Sequence, residues 1–224
     1  MNAQFVTNTE VTIYNGFKQL IKSGNYEHVI LEILNSSKKL FVGQYEHIST
    51  QSHGECDFVD IVTGKKYDAK LPFSKKQGQL IGSDKGSYEE WLKTMMRESS
   101  EYGDIVTSRG VKKAEDSALY KIIKDRLDAV ETDENLILFF PFPIVSVDVP
   151  DSIMLQFAGN ILTFVFTALD NNGFVKNREV YAIYPCVDNC LAIRRLNDNR
   201  CEYVSDNLLK QYIDYNISFG FPKE

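Results

Sequence analysis

The chain has 224 residues, 43% hydrophobic and 25% charged, with a formal net charge of −6. That length suits one domain, or one domain with a substantial extension, and the composition is that of an ordinary globular protein. No apolar run reaches transmembrane length and the first residues lack the basic and apolar regions of a signal peptide, so the expectation is a cytoplasmic protein with no membrane partner.

Residues 10–22 place Val11, Ile13, Tyr14, Phe17, Leu20 and Ile21 at helical spacing, and Ser23-Gly24 breaks the pattern. Residues 26–35 predict a second helix, with Tyr26, Val29, Ile30, Ile33 and Leu34 on one face and Glu27 and Glu32 also aboard. Lys39–Ile48, which carries Glu46, fits strand or helix. Residues 55–73 read as two short strands joined by a tight turn at Thr63-Gly64, and Pro72 closes the second strand. Residues 74–86, rich in Lys, Gly and Ser, read as a loop, where Gln77 and Gln79 are polar filler more readily than substrate contacts. Ser87-Tyr88-Glu89-Glu90 has the form of a capping box, and 111–130 that of an amphipathic helix. Asn135–Phe142 holds a continuous apolar run ended by proline, as in a buried central strand. Prolines at 141, 143 and 150 suggest a boundary near 145–150. Residues 152–168 fit strand or buried helix, Arg178–Pro185 and Cys190–Arg195 paired strands turning at Asp188-Asn189, and 204–217 a final helix.

The hairpin at 55–73 carries the chemistry. Side chains alternate along a strand, so Asp68 and Lys70 share a face. A two- or four-residue connection brings Asp57 to that face and turns Asp60 away; a three-residue connection exchanges them. Acidic residues facing each other across a ladder are destabilising, and a divalent cation between them turns repulsion into ligation. The bland reading is an exposed hairpin whose charges are merely solvated. Elsewhere the signals are weak. Cys56, Cys186, Cys190 and Cys201 fit neither a disulfide framework nor a zinc site. His28, His47 and His53 are too scattered for a metal cluster, though His47 and His53 lie just upstream of the hairpin. Nucleophile-elbow, P-loop and dinucleotide signatures are missing. The acidic net charge argues against a globally basic nucleic-acid surface. Local basic groups remain at Lys65 and Lys66, at Lys75 and Lys76, and at Lys112, Lys113, Lys121, Lys124 and Arg126, the last group interleaved with acids.

Asp57, a ten-residue gap and then Asp68-Ala69-Lys70 resemble the PD-(D/E)xK nuclease superfamily. The resemblance implies an α/β restriction-endonuclease-like core, a central mixed sheet flanked by helices, over residues 1–147. Residues 148–224 would be an α+β extension that completes the sheet or serves as an assembly surface. It implies that Asp57, Asp68 and the Ala69 carbonyl hold Mg²⁺ or Mn²⁺ and that Lys70 assists the attacking water. A further acid often comes from the preceding helix, for which Glu46, then Glu32, are candidates, with Glu55 a third. Cys56 stands where the family often has proline, and Asp68 where glutamate is more usual. The implied function is a metal-dependent endodeoxyribonuclease that leaves a 5′-phosphate. Its setting would be restriction or antiviral defence, as a homo-oligomer with an ATPase or sensor subunit. Two other readings stand beside it: a non-catalytic assembly or interaction subunit, favoured by the acidic charge and the unexplained C-terminal third, and an RNA-cleaving toxin, since nothing in the residues separates a DNA from an RNA backbone.

Overall fold

Val29, Ile30, Ile33 and Leu34 recur at the three- and four-residue spacing of one helix face, and Asn25–Ser36 is helix α1 with those four side chains buried. The computed structural model describes residues 15–16, 18–48, 56–83, 90, 94, 114–140, 151–186, 190–205 and 207–210. Seven strands lie in one sheet in sequence order: β1 (Tyr45–His47), β2 (Phe58–Asp60), β3 (Lys66–Lys70), β4 (Asn135–Phe139), β5 (Val180–Cys186), β6 (Cys190–Arg195) and β7 (Cys201–Ser205). The first three pair antiparallel, β3, β4 and β5 run parallel, and β5, β6 and β7 are antiparallel again. A parallel step needs a crossover. The first carries α2 (Lys75–Gly82), a 3₁₀ turn (Ala114–Asp116) and α3 (Ala118–Asp128); the second carries α4 (Asp151–Asn171). A short α5 (Asn207–Lys210) follows β7.

Alternation along the strands divides the core into two layers. Tyr67, Ala69, Ile137, Phe139, Tyr181 and Ile183 pack with the buried face of α1. Leu136, Leu138, Val180, Ala182 and Tyr184 pack with Leu119, Ile123 and Leu127 of α3 and with Ile161, Leu162 and Val165 of α4. The result is a mixed sheet between helical layers. All five residues of β4 are buried, as its apolar run and its parallel neighbours require. No described helix is long and apolar enough to cross a membrane.

Several expectations need correction. Residues 75–82 are helix, not loop. The Ser74 hydroxyl accepts from the Gln77 amide at 3.2 Å while the Gln77 side chain accepts from the Ser74 amide at 3.0 Å, a reciprocal cap strong enough to start a helix containing Gly78. The segment expected as one helix over 111–130 is a 3₁₀ turn and then α3, because Ser117 caps a fresh start by accepting from the Tyr120 amide; residues 111–113 lie outside the described residues. The apolar stretch at 152–168 is helical. Near the C-terminus the chain first makes β7 and only then a helical turn, and 211–217 lie outside the described residues. Of the capping box expected at 87–90, only Glu90 is described, and it is helical.

Two buried polar residues join the layers. The Glu202 carboxylate on β7 accepts from the Ser37 hydroxyl at 2.6 Å and from the amides of Lys38, Lys39 and Leu40 at 2.7, 3.1 and 3.1 Å, just beyond α1. The Arg178 guanidinium donates to the carbonyls of Leu127 and Val130 after α3, and of Phe174 and Val175 after α4.

Candidate functional site

The β2–β3 hairpin sets the site by its length. Asp60 N–H donates to the Lys65 carbonyl at 2.9 Å and Gly64 N–H to the Asp60 carbonyl at 2.7 Å, which leaves four residues in the connection. Gly64 turns the chain at φ 71°, a conformation that other residues adopt at a cost. With Phe58 opposite Tyr67, the even connection puts Asp57 on the side of Asp68 and Lys70. Asp60 faces away, where its carboxylate accepts from the Val62 and Gln44 amides and the Thr63 hydroxyl. It lies so close to Gly43 that a Cβ there would overlap it. Burial works to raise the Asp60 carboxyl, but these hydrogen bonds together hold it below its ordinary value.

Asp57 sits at a bend just ahead of β2 and bridges three segments. Its amide donates to the Tyr67 carbonyl at 3.0 Å, its carbonyl accepts from the Ile48 amide at 3.0 Å, and its Oδ2 accepts from the Ala69 amide at 2.7 Å. That last bond aims the carboxylate at the centre of Asp68-Ala69-Lys70. Asp57 and Asp68 are 7% and 5% exposed, and they are hydrogen-bonded to each other. Lys70 Nζ donates to Asp68 Oδ1. Burial foremost, then the hydrogen bond and repulsion from Asp57, push the Asp68 carboxyl up to about 7, with Lys70 pulling the other way.

Helix α1 brings more groups to the same end of the sheet. The Asn35 side chain holds both backbone groups of Tyr45 at one end of β1, while Glu27 accepts from His47 Nε2 at 2.9 Å at the other. α1 therefore runs antiparallel to β1, with its N-terminal turn beside His47. The His47 ring packs edge-on against Phe58 at 5.7 Å between centroids. The Tyr26 hydroxyl is hydrogen-bonded to Glu27 and is raised by burial foremost, with smaller contributions from Glu27, Asp57 and Asp68. Glu27 is thus an acid that α1 brings to this corner. Its position was not legible in the sequence, because helical spacing does not say which turn meets the sheet end. Of the acids considered there, Glu46 is exposed on β1 opposite Val59, Glu32 is half-buried farther along α1, and Glu55 lies outside the described residues. Neither Glu46 nor Glu32 joins the pair: among the described residues no three His, Cys, Asp or Glu side chains converge on one point. Gln77 is occupied as a cap.

The basic groups are largely engaged by acids. Lys65 meets Glu179 at 3.2 Å, Lys66 meets Asp133 at 3.6 Å, and Lys124 meets Asp128. Lys75 and Lys76 are exposed at the start of α2. Arg126 donates to the Phe73 carbonyl at 3.2 Å, three residues beyond Lys70, and its Nε is buried without a hydrogen-bond partner.

The donor set at the carboxylate pair is all oxygen, which suits Mg²⁺ or Mn²⁺ better than metals that seek thiolate or imidazole. Two carboxylates are also a usual protein share for Mg²⁺, whose remaining positions go to water and phosphate oxygens. No family model, curated protein or solved structure matches this chain.

Proposed function

We propose that the protein is a metal-dependent nuclease that hydrolyses DNA phosphodiester bonds at Asp57, Asp68 and Lys70. The observation that carries this reading is the burial of two mutually hydrogen-bonded carboxylates with a lysine on one side of them. A divalent cation between such carboxylates turns their repulsion into ligation. Asp57 and Asp68, with the Ala69 carbonyl between Asp68 and Lys70, would hold Mg²⁺ or Mn²⁺. A divalent ion there supplies neutralisation of the phosphate and a lowered pKa for water. Asp68 must give up its proton before it can act as a ligand. Lys70, beside Asp68, is placed to orient the attacking water and to offset charge on the phosphate. The order β1–β2–β3, helix, β4 with β4 parallel to β3 supports a restriction-endonuclease-like core. Fold order alone does not establish chemistry.

The net charge of −6 and the pairing of Lys65, Lys66 and Lys124 with acids point to DNA affinity supplied by an oligomer or a partner subunit, such as an ATPase or sensor in a defence system. The test is cleavage of supercoiled plasmid with Mg²⁺ or Mn²⁺. Asp68→Ala and Lys70→Ala are each expected to reduce nicking by roughly 100-fold or more, the scale of losing a group that stabilises the transition state. Activity that survives both changes would place the chemistry elsewhere. An inert native protein that also leaves Mg²⁺ unbound would support the assembly-subunit reading instead, and preferential cutting of RNA would support the toxin.

A further inference from the structure

The ladder between β1 and β2 ends beside the carboxylate pair. His47 stands opposite Phe58, and the Ile48 amide donates to the Asp57 carbonyl at 3.0 Å. That bond makes His47 and Phe58 one of the closer, non-hydrogen-bonded ladder pairs, with Cα atoms about 4.5 Å apart, and Asp57 is the next residue along. The His47 ring lies edge-on to Phe58. Its Nε2 donates to Glu27 Oε2 at 2.9 Å, and both side chains are partly open to solvent. Tyr26 is half-buried on the same first turn of α1, and its hydroxyl is hydrogen-bonded to Glu27. Burial foremost, then Glu27 and the charges of Asp57 and Asp68, raise that hydroxyl, so Tyr26 stands within electrostatic reach of both carboxylates.

Hydrogen-bond polarity decides what this trio can take. An ionised carboxylate only accepts, so Glu27 receives a hydrogen from each neighbour. A phenol has one hydrogen to give, and Glu27 holds the one on Tyr26. A neutral imidazole that donates through Nε2 has an acceptor at Nδ1. The atoms left for a further partner, Tyr26 Oη and His47 Nδ1, are therefore both acceptors. Neither complements a phosphate oxygen, which is an acceptor itself. Both complement water around a divalent cation. Mg²⁺ dehydrates reluctantly and keeps several waters when one or two carboxylates bind it, and those waters have hydrogens to place.

We propose, on the divalent-cation reading of the Asp57–Asp68 pair, that Tyr26 accepts a hydrogen bond from a water of the ion's hydration shell, so that α1 positions the hydrated ion without ligating it. Tyr26 is the contact. Glu27 takes its hydrogen and leaves it only lone pairs to offer. His47, braced on Phe58, keeps Glu27 in place. Glu27 is a holder here and not a ligand: among the described residues it does not converge with Asp57 and Asp68 on one point.

The test is calorimetric titration of Mg²⁺ into the metal-free native protein and its variants, without nucleic acid, beside their melting temperatures in a chelator. Tyr26→Phe is expected to melt within a few degrees of the native protein and to bind Mg²⁺ roughly 3- to 10-fold more weakly, the scale of one lost hydrogen bond. His47→Ala should weaken binding in the same direction, and His47→Gln, which keeps a donor for Glu27, should recover most of it. Asp68→Asn should abolish binding. Unchanged affinity in Tyr26→Phe beside that loss would overturn the proposal and leave the carboxylate site standing. Glu27→Ala that loses binding as completely as Asp68→Asn would also overturn it, since Glu27 would then be a ligand. A native protein that binds no Mg²⁺ would overturn the proposal and the cation reading together.

Discussion

At the scale of single residues, Asp57 does two separable things: it holds the Ala69 amide, and it presents a carboxylate to Asp68. Asparagine can still accept from the Ala69 amide but is a poorer ligand for a cation. Asp57→Asn is therefore expected to keep the melting temperature within a few degrees of the native protein while losing Mg²⁺ binding by calorimetry. Asp57→Ala should lose both, because a buried donor is left unsatisfied, at about 1–3 kcal/mol. Asp68 makes a pH prediction. Its folded value, raised foremost by burial to about 7, lies above that of the unfolded chain. The fold therefore binds this proton more tightly than the unfolded chain does. Its contribution to stability is complete below the unfolded value, near 4, and is lost as pH rises through about 7. Without divalent ions the melting temperature should fall between pH 5.5 and pH 8, and Asp68→Asn should flatten that fall. Mg²⁺ should restore the native protein at pH 8 and leave the variant unmoved. Asp60 and Glu202 have the opposite sign. Burial opposes ionisation of each, but their hydrogen bonds outweigh it and lower both carboxyls. Their contribution is present above the ordinary carboxyl value and is lost as pH falls through the lowered one.

Among the elements, α2 follows β3 directly and begins only because Ser74 and Gln77 cap each other. Ser74→Ala is expected to cost about 1 kcal/mol and to speed hydrogen exchange over residues 75–82, with exchange in β4 unchanged. α2 also marks where sequence reading stops. Two glycines, two lysines and a serine look like a loop, and the reciprocal cap together with the contact of Leu80 and Ile81 with the α1 layer makes the segment helical. By contrast, α1 and β4 were legible because their patterns match a single period, 3.6 residues in one and an unbroken apolar run in the other. β7 was hidden because a five-residue strand runs straight into an apolar stretch of helical spacing. The even-length connection between Asp60 and Lys65 was one of two alternatives the residues allowed. The structure adopts it, and with it the meeting of Asp57 and Asp68. That the two are catalytic is a proposal that rests on the resemblance.

Over the whole molecule, the sheet alone does not account for how α1 and β7 are fastened. Strand neighbours are neighbours in sequence throughout, so no strand pairing ties the ends together. Glu202 does so through four hydrogen bonds to the Ser37–Leu40 turn. Glu202→Ala leaves those donors without their acceptor and is expected to destabilise the protein by about 2–4 kcal/mol in a urea titration. Glu202→Gln should cost less, since an amide oxygen still accepts. Arg178 performs the corresponding task between α3 and α4, with four backbone carbonyls and no carboxylate among its partners.

The Glu202 fastening also has a consequence in time. A ribosome delivers Ser37 and, 165 residues later, Glu202, an interval of roughly 8–33 s at about 5–20 residues per second. Throughout that interval the turn after α1 has donors facing no acceptor of its own. A chain halted before β7 would leave all four donors to water, so this fastening forms only after β7 has been made.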